Sequence, residues 1–141
     1  MILFFDDYLG SPENQLFLHR LRKAVRSMPI DVVEEKVVQR VEDKLRSAVF
    51  HVAIFDVMAA MPGEPELSAL AGIEILRRCR SGAYRLENRD IPIFMRTARF
   101  EPHVQQMARE YGCTQYFRVG TDDTLLVEAV MAALRVRASS G

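Results

Sequence analysis

The chain has 141 residues, which is the length of one ordinary domain, and 49% of them are hydrophobic. That fraction can bury a sizeable core and excludes disorder as the dominant state. Lys and Arg balance Asp and Glu at 19 each, so no excess charge points to nucleic acid or an anionic membrane as a partner.

The first predicted elements are a strand and a helix. Residues 2–5 form a short run of β-branched and aromatic side chains, which indicates a strand. Ser11 can cap the following helix. Pro12 suits the first helical position, because its missing N–H would make no helical hydrogen bond there. The apolar stripe of this helix is predicted at Leu16, Leu18, Leu21 and Val25.

Residues 30–70 contain one ambiguous stretch and one long insert. Residues 30–33 resemble a strand, and the apolar positions that follow mark one side of a helix (Val38, Val41 and Leu45). Residues 49–55 form a nearly continuous apolar run, which is typical of a parallel strand covered on both faces. The insert at 58–70 has several Pro and Gly residues, and loops of this length are often functional. The sequence leaves its role open.

The second half of the chain continues the alternation. Strands are predicted at 91–95 and 115–119, and helical patterns lie before, between and after them. Gly112 closes the middle helix, and Asp122 or Asp123 caps the last one. The inward-facing residues of the last helix are predicted to be Leu125, Leu126, Ala129, Val130 and Leu134. We expect residues 136–141 to be a frayed tail.

Regular alternation of strands and helices predicts an α/β fold with a doubly wound parallel sheet of five strands. We expect one domain over residues 1–141, with no output domain. No apolar run reaches membrane-spanning length. The two cysteines, Cys79 and Cys113, have neither metal-binding nor redox spacing. We therefore expect the reducing cytoplasm as the compartment.

Polar side chains follow the predicted strands where ligands bind in such sheets, outside the carboxyl ends. These residues are Asp6, Asp7, Asp56, Thr97 and Arg118. Clustered carboxylates favour a hard cation such as Mg²⁺, which also bridges to phosphate oxygens. A carboxylate can attack phosphorus to form an acyl phosphate, while a hydroxyl and a cation hold the remaining oxygens. Each residue alone is more often a turn, a cap or a solvated charge, so the prediction depends on their coincidence.

At this point the sequence resembles the receiver domains of two-component response regulators, over residues 2–134. The matching segments are ILFFDD (2–7), VAIFDVM (52–58) followed by Met61-Pro62-Gly63, GIEILRRCR (72–80), IPIFMRTA (91–98) and YGCTQYF (111–117). The resemblance implies a flavodoxin-like sheet in the order 2-1-3-4-5, with helices on both faces.

The resemblance also implies roles for individual residues. Asp56 is the phosphoryl acceptor, Thr97 is the switch hydroxyl, and Tyr116 is the aromatic side chain whose rotamer reports the switch. The implied Mg²⁺ ligands are Asp6, Asp7, Asp56 and the backbone carbonyl of Met58, with Asp7 the more direct ligand of the acidic pair.

Two features depart from the family pattern. The family has an invariant Lys at the end of the last strand. Here that position falls on Arg118 when counted back from the last helix, and on Val119 when counted forward from Gly112. Arginine spreads its charge over a rigid fork, so Arg118 is an unequal substitute for the Lys. The loop after Asp56 is also longer than usual in the family.

The neighbours of the switch hydroxyl are two arginines. Arg96 and Arg99 flank Thr97. We expect both to be solvated charges rather than a basic rim around the pocket.

The leading functional prediction is a stand-alone receiver in phosphorelay signalling. A histidine kinase or phosphotransfer protein would phosphorylate Asp56, and a downstream protein would read the change by contact. The chain would not be an enzyme beyond self-phosphorylation and autodephosphorylation. The alternatives are a degenerate receiver that binds proteins without phosphorylation, and a small α/β phosphotransfer enzyme. Oligomeric state is left open, with a homodimer through the fourth helix, fifth strand and fifth helix as one option.

Overall fold

The computed structural model describes residues 1–6, 10–57, 70–98 and 101–140, with side chains as far as residue 136. The strands are β1 (Ile2–Phe5), β2 (Val32–Glu35), β3 (Val52–Asp56), β4 (Ile93–Thr97) and β5 (Gln115–Arg118). The α-helices of the described residues are α1 (Pro12–Ala24), α2 (Val38–Ser47), α3 (Ala71–Arg80), α4 (Pro102–Glu110) and α5 (Asp123–Ser140). A short 3₁₀ turn spans Leu86–Asn88.

All strand pairs are parallel, and the sheet order is β2-β1-β3-β4-β5. This confirms the predicted doubly wound sheet. The order reverses between β1 and β3, which places the topological switch point beside these two strands.

The sheet separates two cores because successive side chains of a strand point to opposite faces. Leu3, Phe5 and Phe55 pack with α2, α3 and α4 on one face. Phe4 and Ile54 pack with α1 and α5 on the other. The alternation fixes which face each residue at a strand end belongs to.

The strand predicted at 49–55 begins three residues later, at Val52, because the side chain of Asn88 binds the backbone just before it. The buried Asn88 side chain accepts the backbone N–H of Phe50 at 2.9 Å. It also donates to the carbonyls of Leu45 and Ala48, at 2.9 and 2.7 Å. These bonds satisfy the turn between α2 and β3, so the ladder begins only at Val52.

Two predicted core positions were wrong. Leu16 is 51% exposed, and its neighbour Phe17, which was not predicted, is buried instead. Leu125 is 57% exposed, whereas Leu126, which was also predicted, is buried. The helical period explains both errors. Phe17 lies four residues before Leu21, on the same side of α1, and Leu126 leads a buried stripe with a spacing of four.

Helix α5 continues as far as Ser140, into the segment 136–141 that was predicted to be a frayed tail, and fraying of that segment stays a prediction. Residues 132–140 contain no Gly or Pro to break the helix. None of the described helices combines the length and apolar character that crossing a lipid bilayer needs.

The start of α1 bears on the functional site. Ser11 adopts an extended conformation, and its hydroxyl accepts the backbone N–H of Asn14 at 3.2 Å. The predicted cap and the Pro12 start of the helix are therefore confirmed. The cap holds Asn14 in the first helical turn, where its side chain is buried.

Candidate phosphoryl and metal site

The carboxyl ends of β1, β3 and β4 bring three charged residues to one edge of the sheet. Asp6 follows β1 and Asp56 ends β3, each one residue beyond the paired residues Phe5 and Phe55. Asp56 is in turn the register partner of Arg96 on β4. Alternation along these strands assigns all three to the face that carries α1 and α5.

The two described carboxylates have different surroundings. Asp6 is 4% exposed, and its backbone N–H extends the β1–β2 ladder by donating to the carbonyl of Glu35 at 3.1 Å. Asp56 is half-buried. The edge therefore has a deep acidic group beside a more accessible one.

Oxygen ligands on neighbouring strand ends fit a hard divalent cation such as Mg²⁺, which takes few protein ligands and keeps several waters. The other two predicted ligands, Asp7 and the Met58 carbonyl, lie outside the described residues. Among the residues that are described, no group of three or more His, Cys, Asp or Glu side chains is clustered closely enough to hold a metal.

Thr97 and Tyr116 lie together on the opposite face of the sheet. Thr97 ends β4 and is 1% exposed, and Tyr116 on β5 is 8% exposed. Their side chains share a hydrogen bond, and the charge of Asp56 acts on the Tyr116 hydroxyl. The predicted switch hydroxyl and switch aromatic are thus neighbours, and the predicted acceptor Asp56 ends the strand that pairs with β4. Their roles remain a prediction.

The buried tyrosine predicts a dependence of stability on pH. Burial raises the pKa of Tyr116 to about 12, from about 10 in an unfolded chain. The folded state therefore holds this proton more tightly, and the stability present below about pH 10 is lost as the pH rises towards 12. We expect urea unfolding to show this fall between about pH 10 and pH 12, and Tyr116→Phe to reduce it. Parallel profiles for the two proteins would contradict the assignment.

Arg118, the predicted substitute for the family Lys, ends β5 with an exposed side chain. Its backbone N–H donates to the carboxylate of Asp122 at 2.8 Å. By register, Arg118 is the partner of Thr97. Its part in holding a phosphoryl group remains a prediction.

The expectation that Arg96 is a solvated charge was wrong, because the residue is 1% exposed. Arg99 lies outside the described residues. The guanidinium of Arg96 lies between two aromatic rings, with its carbon 4.5 Å from the ring centre of Phe17 and 5.8 Å from that of Phe4. Such contacts favour a cation at a site from which water is excluded.

Arg96 also makes a network of charged and polar contacts. Its Nε and Nη2 donate to the two carboxylate oxygens of Asp123, at 2.9 and 3.0 Å. Its Nη1 donates to the side-chain oxygen of Asn14 and lies 3.7 Å from Oδ2 of Asp6. The cluster of Asp6, Asn14, Arg96 and Asp123, called here the Arg96 cluster, connects the acidic edge to the first turns of α1 and α5.

The Arg96 cluster was not predicted from the sequence. One signal was present. Arg96 interrupts an otherwise apolar run one residue before the strand end, and a strand covered on both faces leaves such a residue no route to solvent. The two carboxylates in the cluster exceed the single guanidinium by one negative charge.

Close backbone packing fixes the position of Asp56. The N-terminal turn of α3 lies directly against the end of β3, and the N–H of Gly72 donates to the carbonyl of Val57 at 3.1 Å. A Cβ on Gly72 would lie 1.8 Å from the carbonyl oxygen of Asp56. Only glycine allows the helix to lie this close to the acceptor strand.

Comparison with solved structures identifies the fold. The chain is similar to a CheY-like response regulator receiver domain from Methanospirillum hungatei, with a TM-score of 0.69 and 17% identity over 99% of this chain and 97% of that one. It is also similar to the chemotaxis protein CheY4 of Vibrio cholerae, with a TM-score of 0.66 and 19% identity over 94% and 96% of the two chains.

A third similar structure is a Burkholderia pseudomallei response regulator with a phosphorylated aspartic acid, a calcium ion and citrate. Its TM-score is 0.63 and its identity 15%, over 99% of this chain and 72% of that one. No family model matches the chain, and no curated protein matches it either. The chain therefore has the fold of response regulator receiver domains.

Proposed function

We propose that the chain is a receiver-type signalling switch in which Asp56 accepts a phosphoryl group from a histidine kinase or phosphotransfer protein. One observation carries the proposal. In a receiver fold, Asp56 ends the central strand β3 at the same edge as Asp6, next to β4, which ends in Thr97, the hydrogen-bond partner of Tyr116.

The chemistry follows from a carboxylate acting as nucleophile. An oxygen of Asp56 attacks the phosphorus of a phosphohistidine, and the phosphorus–nitrogen bond breaks. The imidazole keeps the electron pair and takes up a proton, and Asp56 becomes an acyl phosphate. Mg²⁺ held by Asp6, Asp7, Asp56 and the Met58 carbonyl would neutralise charge on the transferring group.

Phosphorylation of Asp56 would cause a change on the opposite face of the sheet, where Thr97 and Tyr116 lie. A phosphoryl group on Asp56 offers acceptor oxygens to the hydroxyl of Thr97, whose present partner is Tyr116. Movement of Thr97 would release Tyr116, which lies on β5 between α4 and α5. A downstream protein would read the surface formed by these three elements.

The test is covalent labelling. A small-molecule phosphodonor with Mg²⁺ should raise the mass of the chain by one phosphoryl unit, and Asp56→Asn should abolish the increase because an amide cannot form the acyl phosphate. Asp90→Asn is the matched control. Asp90 is exposed and precedes β4 at the opposite edge of the sheet. Labelling that persists in Asp56→Asn would contradict the assignment of the acceptor.

A degenerate receiver is the second candidate function, favoured by the Arg96 guanidinium 3.7 Å from Asp6 and by Arg118 in place of the family Lys. In this case the chain binds its partner without phosphorylation. The phosphodonor would leave the mass of the chain unchanged, and Arg118→Lys would be the variant to test for restored labelling.

A further inference from the structure

We propose that Arg96 is a fixed internal counter-ion of the acidic site and weakens the binding of Mg²⁺ there. The inference rests on the proposed function, since it concerns the metal site of that function. It begins from an unusual juxtaposition. The buried guanidinium of Arg96 on β4 lies 3.7 Å from the carboxylate of Asp6, on the same face of the sheet as the proposed phosphoryl acceptor Asp56.

The guanidinium is held in place. Asp123 binds it with two parallel hydrogen bonds, and the ring of Phe17 covers it at 4.5 Å. Its third nitrogen donates to Asn14. Because Arg96 is 1% exposed, swinging it out to solvent would leave Asp123 buried without its counter-ion. The positive charge therefore stays beside Asp6 when a cation arrives.

Charge then decides the direction of the effect. Mg²⁺ bound through Asp6 would lie within a few ångströms of a like charge in a region of low permittivity. Arg96 also already neutralises part of the negative charge of Asp6. A charge at this range typically shifts an ionic equilibrium by about tenfold or more. We expect removal of the Arg96 charge to tighten Mg²⁺ binding by about tenfold.

Asp123 sets how strongly Arg96 acts. Its carboxylate lies on the far side of the guanidinium from Asp6 and offsets part of its charge. Asp123→Asn keeps the shape of the side chain but leaves the charge of Arg96 uncompensated. We expect this variant to bind Mg²⁺ several-fold more weakly than the natural chain.

The decisive comparison uses the Asp123→Asn background. Arg96→Met alone would leave the buried carboxylate of Asp123 without its counter-ion, which could prevent folding. Asp123→Asn and Asp123→Asn/Arg96→Met differ only at residue 96, where methionine removes the charge together with the hydrogen bond to Asn14. Calorimetric titration with MgCl₂, without a phosphodonor, gives the affinity of each folded protein. Asp123→Asn/Arg80→Met is the matched control. Arg80 donates to the carbonyls of Arg89, Ile91 and Gly112, which precede β4 and β5 at the opposite edge of the sheet.

The inference predicts tighter Mg²⁺ binding, by about tenfold, on removing Arg96, and no change on removing Arg80. Arg96→Lys in the natural background should keep binding weak, because it keeps the charge. Equal affinities with and without Arg96 would overturn the inference while leaving the metal site in place. Absence of Mg²⁺ binding in every variant would overturn both the metal site and the counter-ion. Binding that appears only when Arg96 is removed would support both.

Discussion

Replacing Gly72 by alanine is expected to destabilise the chain by about 3 kcal/mol, the upper end of the typical range for overpacked sites. The added Cβ would meet the carbonyl oxygen of Asp56 at 1.8 Å and its carbonyl carbon at 2.7 Å. Both contacts are with backbone, so no side-chain rotation relieves them. Either α3 moves away from the sheet, or the end of β3 moves with Asp56.

Urea unfolding measures the loss of stability, and Gly10→Ala is the matched control. A Cβ on Gly10 meets no atom within 4 Å among the described residues. Since Gly10 also has no positive φ, alanine there is expected to leave stability unchanged or to raise it by less than about 1 kcal/mol. If Gly72→Ala unfolds at the same urea concentration as Gly10→Ala, the close approach of α3 to Asp56 is wrong.

Loss of phosphoryl labelling in Gly72→Ala would add a functional result. The substitution touches no predicted ligand side chain. A folded variant that labels poorly would show that the position of the β3 end, rather than its chemistry alone, governs the acceptor.

The sequence was sufficient for the sheet and for the acidic edge, because both depend on local patterns. Apolar runs with β-branched residues indicated the strands, and the polar residues after each run marked the carboxyl end of the strand. Asp6 and Asp56 could therefore be assigned to one edge once parallel order was inferred. The exact start of β3 could not be predicted, because the N–H of Phe50 is taken by the buried side chain of Asn88, which is distant in sequence.

The Arg96 cluster could not be predicted, because its members are distant in sequence. Arg96 lies 82 residues from Asn14 and 27 from Asp123. No local spacing connects them, and a lone arginine beside a strand end is usually solvated. Only the packing of α1 and α5 on the same face brings an amide and a carboxylate to the guanidinium. The role of the insert at 58–70 is also unpredicted, and residues 58–69 lie outside the described residues.

Arg96→Met is expected to have the other large effect, a loss of about 3–5 kcal/mol in the free energy of unfolding. The substitution leaves the carboxylates of Asp6 and Asp123, each 4% exposed, without the cation that faces them both. Removing one partner of a buried ion pair is costly because the remaining charge stays desolvated. Methionine fills similar space between Phe4 and Phe17, so lost packing contributes little.

The double variant Arg96→Met/Asp123→Asn separates charge from shape. The double variant no longer contains the Asp123 carboxylate that Arg96→Met leaves without a counter-ion. Its loss in the free energy of unfolding should therefore be well below the sum of the losses of the two single variants. Asp123→Asn alone should cost less than Arg96→Met, since Asp6 still faces the guanidinium at 3.7 Å. Additive losses in urea unfolding would show that the pair contributes no interaction energy.

An exposed ion pair supplies the control for this comparison. Arg22 and Glu34 approach within 2.8 Å, but their side chains are 49% and 32% exposed. We expect Arg22→Met to change stability by less than about 1 kcal/mol, because water already solvates both charges. The contrast between two pairs of nearly equal distance would show that burial, rather than separation, makes Arg96 essential to the fold. Because Arg96 stays buried in the folded chain, its positive charge also repels any cation that binds beside Asp6.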